Sequence, residues 1–234
     1  MQAGSPQAST TRMTGTTMNK FLLLGTAAMA IAVSGLALPG RADAQEANAG
    51  KSAGSFMVRA RVIGVLPENS GSSTSVGGHV GATNAVTPEL DFSYFFTPNI
   101  AAELILATTQ HTISAKDLPG KVNVGKTWVL PPTVTLQYHF MPKERFSPYV
   151  GAGLNATFFY SEKASAPFTS LSLTPALGFA LQAGFDYNIS GNWYANVDVK
   201  QIFLHTKAKI SGGAVTAKTW LNPLVVGAGL GYKF

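Results

Sequence analysis

Charges of both signs recur at alternate positions inside otherwise apolar segments: Arg59 and Arg61, Glu89 and Asp91, Glu103, Asp186, Asp198 and Lys200, and Lys233. Gln137 and His139 occupy the same kind of position. Residues two apart on a strand share a face, so strands arranged around a common axis would bring these groups together. Opposite charges gathered in a narrow interior can pair. Aimed into lipid, each basic one would instead cost about 2–4 kcal/mol at mid-depth. The chemistry expected of this set is a paired, charged plug with no catalytic member.

Other reactive residue types are sparse. There is no cysteine, which excludes disulfides, zinc–thiolate sites and thiol nucleophiles. His79, His111 and His205 fall in segments that read as outer loops and lack ligand spacing, so neither metal nor cofactor is expected. His111 and Ser114, with Asp117 as the nearest acid, are the one sequence neighbourhood that could support lipid-modifying hydrolysis. That reading is remote, and the chain is expected not to be an enzyme. The glycines of "GAGLG" lie inside a strand and open no helix, so they are not a nucleotide loop. They leave room beside Tyr194 and the paired charges.

The elements that would carry these residues read as strands. Among 234 residues, 24 Gly and 13 Pro indicate many turns, and the 12% charged content is low for a soluble domain. The net charge of +6 comes from scattered Lys and Arg, without the stripe that nucleic acid requires. Met18-Asn19-Lys20, the apolar run Phe21 to Leu38 and Ala42-Asp43-Ala44 have the form of a signal peptide. Residues 1–44 are expected to be that peptide, with 1–17 a spurious extension. A membrane anchor is the competing reading, weakened by Gly25, Ser34 and Gly35. Residues 45–54 are then a periplasmic N-terminal segment and 55–234 the folded domain, with a net charge of about +4 once 1–44 are gone.

Eight alternating segments follow: Phe56 to Leu66, Val86 to Phe96, Ile100 to Leu106, Trp128 to Phe140, Val150 to Phe158, Leu177 to Tyr187, Trp193 to Val199 and Leu224 to Phe234. Each has one apolar parity and one small, polar or charged parity. The apolar rows end in aromatics, as a lipid-facing surface with aromatic girdles requires. A lipocalin-like soluble barrel would reverse the faces. Connections after the second, fourth and sixth segments are a few residues, and those after the first, third, fifth and seventh are about a dozen or more. The expected fold is all-β: an eight-stranded antiparallel transmembrane barrel with short periplasmic turns and long extracellular loops. It closes its eighth strand onto its first, because lipid tolerates no free sheet edge.

The stretches "VRARVIGVLP", "VTPELDFSYFFTPNIAAEL", "WVLPPTVTLQYHF", "PYVGAGLNATFF" and "GAGLGYKF" resemble the outer membrane protein W family, which includes alkane-uptake porins. The resemblance implies a bacterial outer-membrane barrel that passes small hydrophobic compounds. It also implies an alternative, a structural or attachment barrel serving as a surface, phage or bacteriocin receptor. The segment "SEKASAPFTSLSLTP" departs from the family pattern by lacking a helical, acidic stretch. Leu230, Tyr232 and Phe234 resemble the aromatic-ended strand read by the barrel-assembly machinery.

Strand direction assigns depth. Arg59, Glu103, Gln137, His139, Asp186 and Lys233 fall low in the lumen, and Arg61 and Asp198 near the middle. Ile63, Val65, Ile105, Val129, Pro131, Phe159, Ile202, Leu221 and Val225 fall in its upper part. An apolar cup open to the outside is therefore expected above the plug, although the same residues could simply pack a structural core. Pro88, Pro131, Pro132 and Pro223 fall in the outer halves of strands, where each lacks a ladder donor. They either mark a lateral exit into the membrane or the places where strands fade into loops. The expected partners are outer-membrane lipid and lipopolysaccharide, the assembly machinery and small hydrophobic solutes, for a monomer that binds no nucleic acid. Lys116, Lys121, Lys126, Lys207, Lys209 and Lys218 make two loops basic, either to meet lipopolysaccharide phosphates or to solvate the loops.

Overall fold

The computed structural model describes residues 50–68, 72–75, 77–118 and 120–234. The expected signal peptide and residues 45–49 lie outside them. The strand segments are β1 (Phe56–Leu66), β2 (Ser73–Thr74), β3 (His79–Ala82), β4 (Ala85–Phe95), β5 (Ile100–Ala107), β6 (Thr109–Leu118) and β7 (Gly120–Leu130). They continue with β8 (Thr133–His139), β9 (Phe146–Ala164), β10 (Leu171–Leu173), β11 (Ala176–Ser190), β12 (Trp193–Ile210), β13 (Val215–Trp220) and β14 (Leu224–Lys233).

Eight of these form the wall, in the order β1, β4, β5, β8, β9, β11, β12, β14, each antiparallel to the next. The ring closes where β14 meets β1 in unbroken register from Met57↔Lys233 to Leu66↔Leu224. The short connections form by local chemistry. In the turn after β4, the Thr97 hydroxyl accepts the Asn99 and Ile100 amides. Gly191, at φ +51°, reverses the chain between β11 and β12.

The alternation resolves as the charge argument requires. Leu104, Leu136, Leu154, Leu181, Leu230 and their neighbours face outward, while Arg59, Asp91, Glu103 and Asp186 are wholly buried inside. Aromatic pairs ring the short-turn end, among them Tyr138–Phe140, Tyr94–Phe96 and Trp193–Tyr232, at centroid separations of 5.0–5.3 Å.

The long connections differ from expectation. They are chiefly further strand: β6 pairs β7, β7 pairs β9, β3 pairs β6, and β12 carries both β10 and β13. The wall thus rises well beyond the membrane-spanning part. The reason is continued alternation, which puts Ile113, Ala115, Val124, Leu171, Leu173 and Ile210 on the inside, where they bury one another with Val80 and the half-buried Phe159 and Phe168. His79, His111 and His205 consequently stand in strands rather than loops.

Candidate functional site

The lumen is layered. At its short-turn end Met57, Phe95, Ala101 and Tyr194 form a small apolar cluster. Above it lies the ion network. Arg59 meets Asp186 through two nitrogens, at 2.9 and 2.8 Å, and reaches Ser93 at 2.6 Å and Glu103 at 3.2 Å. Arg61 stands among four carboxylates: Asp91 at 2.7 Å, Glu89 at 3.0 Å, and Glu103 and Asp198 each at 3.5 Å. Lys200 bridges Glu89 and Asp198 at 3.0 and 2.8 Å. Amides fill further valences of Glu103 and Asp198. Gln182 donates to Glu103 and Asp198, and Gln137 donates to Glu103. Such bonds help a buried charge cluster persist, because each ion removed from water must recover its hydration from neighbours; the exceptions are Arg61 Nε and Nη2 and the two Asp91 oxygens, where the Arg61–Asp91 and Arg61–Glu89 contacts are ion pairs without hydrogen-bond geometry.

Three members of this layer are not in the expected plug. Lys51, ahead of the first strand, inserts its ammonium into the lumen and donates to Asp186, Ser147 and the His139 Nδ1 at 2.7–2.9 Å. Its own amide is held by the Pro142 carbonyl. Burial pulls its pKa down from 10.5 to about 8, against the opposing pull of Asp186. A lone lysine in a segment without periodicity carries no signal in the sequence. Tyr149 crosses the lumen to donate to Asp198 at 2.9 Å, and Asn196 links it to Asp186 and Arg61. Both obey the inward parity of their strands, so parity alone marks them. Gly184 makes space for Tyr149, since a Cβ there would stand 2.6 Å from the phenol oxygen. Of the expected plug, Lys233 donates to the Gly50 carbonyl, tying the N-terminal segment to the barrel mouth.

All nine residues expected in the apolar cup line one cavity: Ile63, Val65, Ile105, Val129, Pro131, Phe159, Ile202, Leu221 and Val225. Its free volume is about 90 Å³, and Glu89 and Lys200 form its floor. The expectation that the cup opens freely to the outside is corrected. The apolar cluster inside the upper wall roofs it, with Val80, Ile113, Leu173, Ala208 and Ala217 shared between chamber and roof. His111 is also in the chamber wall. Its Nε2 meets the Thr109 hydroxyl at 2.8 Å and its Nδ1 the Thr83 carbonyl at 2.6 Å, and burial lowers its pKa. With both nitrogens so engaged, it is not poised over Ser114. Among the described residues no cluster of His, Asp or Glu has metal-binding geometry.

The prolines separate into distinct settings. Pro223 is buried and lines the chamber, its carbonyl accepting the Ile202 amide. Pro88 lies on the outer face of β4, one residue beyond the last β4–β5 pair, Glu89↔Ala107. Pro131 and Pro132 interrupt one strand between β7 and β8. The neighbouring ladder stops at Ile105↔Thr133 and resumes at Thr109↔Val129 in the same register. Residues 106–108 and 130–132 therefore face each other across an unpaired stretch of wall, spanned at its upper end by the Thr108 hydroxyl on the Val129 carbonyl at 3.3 Å. The far side of the prolines is secured, because the Pro132 carbonyl accepts the Ala156 amide and that of Pro131 accepts Asn155.

A family model described as the OmpW family matches residues 52–234. Outer-membrane protein y4mB of Sinorhizobium fredii is 46% identical over 183 residues, covering 76% of this chain and 80% of the relative. Outer membrane protein W of Vibrio cholerae is 36% identical, over 77% and 89%. The crystal structure of the outer membrane protein OprG from Pseudomonas aeruginosa superposes with a TM-score of 0.75 at 29% identity, covering 79% of this chain and 98% of that one.

Proposed function

The chain belongs to the OmpW family of outer-membrane β-barrels, and from that premise we propose that it is a channel for passive uptake of small hydrophobic molecules, with release sideways into the membrane. What carries the reading is the junction of three features at one height: an apolar chamber, an ionic floor and a break in the wall. The chamber favours apolar solutes by roughly 25 cal/mol per Å² of surface withdrawn from water. The floor rejects them, because an alkyl chain cannot replace the hydrogen bonds of Glu89 and Lys200. Ala107 and Pro131 belong both to the chamber lining and to the unpaired stretch, so the weakest part of the wall adjoins the bound solute. Leu106 and Leu130 on the outer side present apolar surface to the bilayer there.

Entry from above requires the apolar roof, to which Leu171 and Leu173 of β10 and Phe168 contribute, to part. The decisive experiment replaces Pro131 and Pro132 with threonine and measures uptake of a long-chain hydrocarbon into vesicles or cells. Restored donors should complete the ladder and slow uptake several-fold while the barrel folds normally. Unchanged or faster uptake would count against lateral release.

A further inference from the structure

The sequence Lys-Thr-Trp occurs twice, at 126–128 and 218–220, each followed within three residues by a proline, Pro131 and Pro223. Both copies lie on strands descending from the upper wall to the membrane-spanning part, β7 and β13. In both, the threonine is buried and lines the chamber while the lysine is exposed outside. The cross-strand partners repeat as well. Lys218 is directly opposite Lys207, and Trp220 is opposite His205 with ring centroids 4.9 Å apart. Lys126 is directly opposite Lys163, and Trp128 is opposite Tyr160 at 6.1 Å. Below the first set, Phe203 and Phe179 stack at 4.5 Å. Lys209, exposed on the same face two residues above Lys207, adds a third cation.

Each edge thus reads, from the membrane upward, as apolar or aromatic pair and then lysine pair. On β7, β12 and β13 two residues of strand separate the layers by about 7 Å, and on β9 a bulge between Tyr160 and Lys163 takes up one more residue; this is the step from the interfacial aromatic belt to the headgroup level. Like charges placed directly opposite each other destabilise a sheet. None of these five lysines has a carboxylate or other ion-pair partner among the described residues. An arrangement that repels itself, appears at two separate places on the wall and sits just above aromatic rings calls for an external anion. A phosphate accepts charge-assisted bonds from two ammonium groups at once.

We propose that the Lys126/Lys163 and Lys207/Lys218 pairs each hold a phosphate of lipopolysaccharide in the outer leaflet, its acyl chains lying against the aromatic pair beneath. The site is lipid-facing and distinct from the chamber, so it does not depend on the transported solute. It fixes the upper wall around the chamber to the leaflet.

The test reconstitutes the barrel in phosphatidylcholine nanodiscs containing bisphosphorylated lipid A and counts lipid A retained per barrel by native mass spectrometry. Wild type should retain it. K126Q/K163Q/K207Q/K218Q should retain at least ten-fold less, and the four arginine replacements should restore retention. Dephosphorylated lipid A should be retained at least ten-fold less by wild type. Equal retention by the glutamine variant, or of the dephosphorylated lipid, overturns the proposal. So does complete displacement by equimolar inorganic pyrophosphate, which would make this a soluble-anion site. Should the quadruple variant fold poorly, K126Q/K163Q and K207Q/K218Q are measured separately. Each should lose about half the bound lipid, and loss in neither overturns the assignment.

Discussion

Lys51 places its ammonium 2.7 Å from Asp186 Oδ2, joining a residue five positions ahead of the first strand to the interior of β11. Asp186 in turn binds Arg59 at 2.8 Å. One carboxylate therefore couples the N-terminal segment to the floor of the lumen, and the short-turn end of the barrel is stoppered by a covalently attached cation. Two ionic layers lie between the chamber and the short-turn end, first the Arg61 network and then Lys51.

The lowered pKa of Lys51 makes stability depend on pH with a defined sign. In the unfolded chain the amine titrates near 10.5, and in the barrel near 8. Below pH 8 both forms are protonated, and burial of the charge is a constant penalty. Between about pH 8 and 10.5 the unfolded chain binds the extra proton, so the contribution of this group to stability rises with pH, by about 3 kcal/mol in total. Urea unfolding of the reconstituted barrel should show that rise as a difference between wild type and K51M. Parallel pH profiles for the two proteins would refute it.

Asp186→Asn leaves Arg59 and Lys51 buried together without their shared anion. Breaking such a buried pair should lower stability by about 3–5 kcal/mol. Adding K51M to D186N should return part of that loss, because one of the two stranded cations is gone. A coupling energy of at least ~1 kcal/mol in the double-mutant cycle is expected for groups in direct contact. Additive effects would mean that the contact contributes nothing of its own.

Most of the wall was legible in the sequence because a barrel in lipid enforces period two without interruption. Arg59 and Arg61 against Val58, Ala60 and Val62 leave one orientation that does not put cations in lipid, and β1 adopts it. The same parity turns Ile63, Ile105, Ile202 and Val225 to the inner face, where they line the chamber. Three things were harder to read. Lys51 belongs to no periodic segment, so only tertiary structure shows where it goes. The roof was concealed because serine-rich stretches such as "SAPFTSLSL" resemble loops by composition. Their few apolar residues, Phe168, Leu171 and Leu173, gain burial only when the distant β6, β12 and β13 supply partners. The exit, finally, depends on register. Pro131 and Pro132 were visible, but only the pairing of Ile105 with Thr133 and Thr109 with Val129 shows that they open a gap on one side of the strand and not on the other.

Ala107→Phe tests the link between chamber and gap. Ala107 lines the chamber beside the unpaired stretch, and its neighbour Leu106 points to lipid. A phenyl ring at 107 occupies the route from chamber to wall, and uptake of long-chain hydrocarbon should fall several-fold. Overpacking should cost about 1–3 kcal/mol. Leu106→Phe enlarges the outer face at the same height and should leave uptake unchanged. Equal effects of the two substitutions would show that the chamber is a packed core and not a passage.

The seam between β14 and β1 gives the last test. Phe234 donates its amide to the Phe56 carbonyl at 2.7 Å, and its ring stands 6.3 Å from that of Phe56 and 4.9 Å from that of Tyr232, open to lipid on its other side. It thus adds both a bond and aromatic contact at the point where closure joins residues farthest apart in the folded domain. Contacts that far apart in sequence form late, because loop closure must precede them. Phe234→Ala should therefore slow assembly, seen as a smaller fraction of the heat-modifiable folded form in membranes, while uptake per folded barrel stays at the wild-type level. The side chain lies far below the chamber, so a loss of uptake in barrels that do fold would contradict the separation of seam from transport, and a normal assembly rate would remove Phe234 from the closing step.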